Sequence, residues 1–384
     1  METKERGASD LHLTVGLPPM LRLDGVVIRT DNKECDAKMV HDMIYSILSD
    51  EQKVIYEEEK EIDFSIQASD VGRFRVNVYC QRRGDSAVFR IIPEKILSLE
   101  DLNLHPTVTM LAHKEKGLIL VTGHTGSGKS TTLAAIVKKI NEERQAHIIT
   151  IEDPIEFIHP HINSIISQRE VGSHTKSFSS ALYNALREDP DVILVGELRD
   201  LETVQMAITA AETGRLVLAT VHTNSCASTV DRIVDVFPGD QQKQIRMQFA
   251  NSIQGVLSQK LLPRADGKGR VCALEIMVGS SAITSLIREK KSHQILSTIQ
   301  IGMKDGMVTM DQSLKNLLDQ KLITKEVALK YMLNPEIVGI TPDAIAAKSS
   351  PSSFLSVDPK VASTEAKPDS PDDLGTFSFQ KYRS

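Results

Sequence analysis

GLILVTGHTGSGKSTTLAAIVKKINEE, residues 117–143, constrains this chain more than any other stretch. A short apolar run reads as a strand, a glycine-rich loop follows, and a helix-forming segment comes next without a break. Gly123, Gly128, Lys129 and Ser130 stand at the spacing of a phosphate-binding loop, which Thr125, Gly126, Ser127 and Thr131 complete. Glycines let the backbone N–H groups turn toward phosphate oxygens, and the new helix adds the positive end of its dipole. Lys129 is expected at the β- and γ-phosphates. Ser130 is expected to place its hydroxyl on Mg²⁺, so that nucleotide and metal form one combined ligand.

Phosphate binding alone does not imply hydrolysis, and the ends of three later apolar runs supply the missing groups. HIITIEDPIEF (147–157) delivers Glu152 and Asp153 at the end of a strand, with Glu156 close behind. In a parallel sheet such ends face the ligand crevice, where a carboxylate can orient and deprotonate water. Glu152 is the preferred base because it is nearer the strand end; Glu156 is the alternative. DVILVGELRD (191–200) repeats the design with Glu197, a candidate Mg²⁺ ligand, and with Gly196 where aspartate is common. LVLATVHTN (216–224) ends in His222, whose ring can hydrogen-bond a γ-phosphate. His159-Pro160-His161 has no further ligand cluster around it and reads as a loop.

The rest of the chain frames this core. RFRVNVYCQRRGDSAVFR (73–90) holds five arginines and alternates with period two, as in a half-buried hairpin strand that turns at Arg83-Gly84-Asp85. Residues 1–92, with a helix expected over 37–48, read as an α+β domain; 93–107, bounded by prolines, reads as a linker. From 108 to 340, strands alternate with helical segments, which implies a parallel sheet covered by helices. Beyond Gly239, Phe249, Ile253, Val256, Leu257 and Leu261 make a helical stripe, and further stripes suggest a helical C-terminal subdomain. Residues 341–384 hold fourteen Ser or Pro and are expected to be disordered. The formal charge of −6 argues against nucleic acid as a partner. Four scattered cysteines fit core packing, and no apolar run is long enough to cross a bilayer, so a cytoplasmic location is expected.

GHTGSGKSTT, ITIEDPIEF, ALREDPDVILVGELRD, AETGRLVLATVHTN and DRIVDVFPGDQQ stand in the order and spacing of known motifs. They resemble those of the secretion-type ATPases, most closely the type IV pilus retraction ATPases, over residues 9 to about 333. The resemblance implies an α/β fold: a RecA-like P-loop NTPase core, a smaller PAS-like N-terminal domain and a helical C-terminal subdomain. It implies a homohexamer that hydrolyses ATP with Mg²⁺ to disassemble pili, working on an inner-membrane platform protein at the cytoplasmic face, with an accessory retraction ATPase as a further partner. It also implies that arginines of the N-terminal strands approach the terminal phosphate; by position these are Arg73, Arg75 and Arg90, with Arg82 and Arg83 nearer the turn. His124 replaces the family's usual proline, and AITSLIRE (282–289) departs from its pattern at Thr284 and Ser285. Three other readings stay open at this point: the accessory retraction ATPase, a RecA-type nucleic-acid motor, and a nucleotide-binding switch that does not hydrolyse. Pilus extension ATPases carry a four-cysteine zinc site that has no counterpart here.

Overall fold

The computed structural model describes residues 2–23, 25–68, 71–92 and 95–338. The serine- and proline-rich segment 341–384 lies outside them, as does Pro93.

Two sheets organise the described residues. The first contains β1 (Asp10–Thr14), β2 (Met20–Leu23), β3 (Val26–Arg29), β4 (Glu61–Ala68), β5 (Gly72–Gln81) and β6 (Gly84–Ile92), in the order β3-β2-β1-β6-β5-β4. Every pairing in it is antiparallel. Along β5, Phe74, Val76 and Val78 are buried against the helix Ala37–Tyr45, while Arg73, Arg75 and Asn77 face the other way. The expected hairpin is therefore present, and the expected helix ends three residues early. Cys80 departs from the expected core role: it is exposed at the hairpin end, beyond the apolar layer that closes at Val78 and Ala87.

The second sheet contains β7 (Gly117–Thr122), β8 (His147–Glu152), β9 (Ile165–Glu170), β10 (Val192–Val195), β11 (Leu216–Val221), β12 (Ile253–Pro263) and β13 (Arg270–Val278), in the order β13-β12-β7-β11-β10-β8-β9. Only the β12–β13 pair is antiparallel. Every residue of β7, β10 and β11 is buried, because helices cover both faces; this is why those strands read as unbroken apolar runs rather than alternating ones. One apolar cluster lies under each face. The segment expected as a linker is not all free of the core: Leu99 within it is buried in one of these clusters, and Pro106 opens the helix Pro106–Ala112, whose Val108 and Leu111 join the same cluster.

The stripe through Phe249, Ile253, Val256, Leu257 and Leu261 is not one helix. The helix Gln242–Ser252 stops after Phe249, and the remaining residues form β12 beside β7. A strand buried on both faces shows no alternation, so its apolar spacing matched a helical period by accident. Gly255 marks the difference, since a Cβ there would lie 2.7 Å from Leu111 Cδ1 and 3.3 Å from the Met277 carbonyl. The later helices do form: Ser281–Arg288 and Ile295–Ile301 bury Ile283, Ile287, Ile295 and Ile299, and Met310–Asp319 covers the β12–β13 hairpin. Thr284 and Ser285 bond within their own helix, to the Ser280 carbonyl and the Glu289 carboxylate, and neither lines the cleft described next.

Candidate active site

The carboxyl ends of β7, β8, β10 and β11 open into a cleft of ≈ 630 Å³ whose opposite wall carries residues of β5 and β6. At its floor the chain leaves β7 through Gly123 (φ 144°), turns at Gly126 (φ 78°) and Gly128 (φ 89°), and enters the helix Lys129–Glu143. The glycines serve different needs. A Cβ on Gly123 would lie 2.5 Å from both the Gln259 carbonyl and Ser127 Oγ, whereas one on Gly126 would meet only open space. Gly123→Ala is expected to lose about 1–3 kcal/mol of stability, from its left-handed backbone and the backbone contact together; the denaturant midpoint measures it.

Lys129 Nζ donates to the carbonyls of Gly123 (3.0 Å) and His124 (3.1 Å). Burial lowers its pKa, while Glu197 and Glu156 oppose that shift. His124 is exposed, and the bonds it makes to the loop use its carbonyl alone, so the change from proline leaves loop contacts intact. The Gln259 amide on β12 donates to the Ser127 carbonyl (2.7 Å) and braces the loop from below. Ser127 Oγ and Thr122 Oγ1 are buried without a partner in the described structure. A curled loop, a buried ammonium and these spare hydroxyls fit a polyphosphate.

Three strand ends bring the acids and the histidine together. Glu152 ends β8, accepting hydrogen bonds from Thr150 Oγ1 (2.7 Å) and the Gln168 amide (3.2 Å). Burial raises its pKa above the ordinary carboxylate value, and those two bonds only partly offset it. Glu156 is exposed four residues on, past a cis Asp153–Pro154 bond. Glu197 follows β10 and sits between Arg199 (2.7 Å) and His222 Nε2 (3.3 Å). Burial pushes its pKa up, but Arg199, His222 and Lys129 together bring it below the usual value, which favours the ionised carboxylate. His222 follows β11 directly, held by a loop that runs into the capped helix Cys226–Asp235.

Thr125, Gly126, Gly128, Lys129, Ser130, Thr131, Glu152, Glu156, Glu197 and His222 thus line one cleft; Gly123 and Ser127 shape the loop from behind. Among the arginines, Arg75 and Arg90 line the opposite wall. Arg75 is paired with Asp63, and Arg90 with Asp10 (2.9 Å) while 68 % exposed. Arg73 is not there: its guanidinium bonds Glu170 (2.8 Å) and Ser65. Arg82 and Arg83 are exposed at the hairpin turn, away from the cleft. Two lining arginines went unforeseen. Arg199 lies two residues past Glu197 in a stretch where charge at a strand end was itself a signal. Arg270 opens β13, which the helical reading of that region concealed.

A parallel sheet with a phosphate loop at one strand end and acids at two neighbouring ends defines a P-loop nucleotide hydrolase. Residues 1–268 match the family model described as "Type II/IV secretion system protein", and the chain belongs to that family of ATPases. It is 51 % identical over 332 residues, 86 % of this chain and 96 % of the relative, to a Pseudomonas aeruginosa protein described as "Type IV pilus retractation ATPase PilT". A second protein of that organism, "Type IV pilus ATPase PilU", is 38 % identical over 327 residues, 85 % of this chain and 86 % of the relative. A crystal structure of "the Pilus Retraction Motor PilT and Bound ADP" superposes with a TM-score of 0.82 at 47 % identity, covering 88 % of this chain and 96 % of that one. Among the described residues no helix is long and apolar enough to cross a membrane.

Proposed function

We propose that this chain is the subunit of a hexameric ATPase motor that retracts type IV pili. The carrying observation is the cleft itself, where phosphate-loop, acid and histidine residues of one sheet face Arg75 and Arg90 of the other. Lys129 and the loop amides hold the β- and γ-phosphates, Ser130 and Glu197 hold Mg²⁺, Glu152 or Glu156 takes a proton from the attacking water, and His222 reads the γ-phosphate. Mg²⁺ held there would supply positive charge to offset that of the phosphates. In this reading residues 1–92 and 108–340 move as two bodies about the linker 93–107, gripping the γ-phosphate from both sides and parting once it is gone.

The partners follow from that role: further copies of this chain in a ring, an inner-membrane platform protein that the ring works upon at the cytoplasmic face, and an accessory retraction ATPase. The main rather than the accessory role is supported by 51 % identity to the first relative against 38 % to the second.

Size-exclusion mass and ATP turnover test this together. Wild-type protein is expected at hexamer mass with Mg²⁺-dependent turnover that DNA does not stimulate. Lys129→Ala should keep the mass and lose turnover about 10²–10³-fold, since it removes a charge aimed at the transferring phosphoryl group. Cells carrying it should fail to shorten their pili. Monomeric wild type without turnover at any concentration defeats the proposal.

A further inference from the structure

We propose that Arg73, Ser65 and Glu170 form a latch between the two sheets that positions the loop joining Glu152 to Glu156, making Arg73 and Glu170 positioning residues for hydrolysis. The inference rests on the reading of those two glutamates as the hydrolytic carboxylates.

Glu170 is the last residue of β9 and stands in register beside Glu152 at the end of β8. It is only 4 % exposed, yet it is a carboxylate. Four groups donate to it: Ser65 Oγ on β4 (2.9 Å), Arg73 Nη2 on β5 (2.8 Å), the Ile155 amide (3.0 Å) and Ser173 Oγ (3.2 Å). Two of those donors belong to the antiparallel sheet. A third, Ile155 N–H, lies in the loop between the two candidate bases, one residue before Glu156. One carboxylate therefore holds the N-terminal wall and the catalytic loop at once, and displacing either disturbs the other.

The chemistry gives the latch its sensitivity. A buried carboxylate that loses its cation carries an uncompensated charge, so the pair makes or breaks as a unit. Arg73 engages Glu170 through Nη2, and its buried Nε finds no partner in the described structure. The guanidinium is thus not locked in the two-pronged geometry that makes such pairs most rigid. Arg75 lies two residues along the same strand and faces the cleft, so a movement of β5 toward a phosphate pulls on Arg73 and, through Glu170, on Ile155.

The test uses the full-length chain as Arg73→Met, as Glu170→Ala, and as the double variant Arg73→Met/Glu170→Leu, which leaves no buried charge unpaired. Each single variant should lose about 10–100-fold in kcat with KM for ATP changed less, because a displacement of about 1 Å at a reacting group has effects of that size. Amide exchange at Ile155 should quicken in Glu170→Ala and in the double variant. The double variant should regain thermal stability without regaining kcat, which separates positioning from mere stabilisation. Wild-type kcat in the double variant, or unchanged exchange at Ile155, overturns the latch. Glu152→Gln and Glu156→Gln serve as controls: full turnover in both defeats the site reading, while the exchange at Ile155 still decides whether the latch exists.

Discussion

Glu152→Gln is expected to lower ATP turnover about 10²–10⁴-fold while binding of a fluorescent ADP analogue stays near wild type. The substitution keeps the shape at the end of β8 and an oxygen that can accept from Thr150 and Gln168, but it removes the group that takes the proton. The pH profile carries a second, independent sign. Burial raises the pKa of Glu152, and the base acts only when deprotonated, so wild-type kcat should fall on the acid side at a pH above that of an ordinary carboxylate. Turnover retained in Glu152→Gln transfers the role to exposed Glu156.

Arg90→Ala and Arg75→Ala should each slow turnover, with the combined variant approaching the loss of about 10³–10⁵ in rate associated with an arginine that stabilises a transferring phosphoryl group. Both side chains line the same cleft as Lys129, but each is engaged by an acid of its own sheet, Asp10 and Asp63 respectively. Reaching a phosphate means exchanging that carboxylate for a more highly charged anion. Asp63→Asn should therefore raise affinity for ATP more than for ADP, because it frees Arg75 for the γ-phosphate. Wild-type kcat in both single alanine variants, measured at saturating Mg-ATP, removes Arg75 and Arg90 from the mechanism.

Which parts of this site were legible in sequence depends on the range of the interactions that build them. The phosphate loop, the strand before it and the helix after it are specified within 27 consecutive residues, and each glycine's backbone requirement is local. Glu152, Glu197 and His222 were found because each directly ends, or closely follows, an apolar run, and chain order places parallel strand ends on one side of the sheet. Arg73 shows where such reasoning stops. Its period-two alternation with Phe74 and Val76 correctly predicts the face it occupies, but Arg73, Arg75 and Asn77 share that face, and pattern alone does not say what opposes each of them. Glu170, 97 residues away, decides that Arg73 is anchored while Arg75 looks into the cleft.

The chain by itself determined the nucleotide-binding chemistry and the parallel core, because glycine conformations, capping residues and buried apolar runs act over a few neighbouring residues. The tertiary structure alone decided that Ile253–Pro263 is a strand, that Arg270 reaches the cleft, and that Arg75 and Arg90 line the cleft while Arg73 is anchored on Glu170. Those outcomes depend on pairing and burial between segments far apart in the chain, where the partner's position sets the energy and the local pattern carries no record of it.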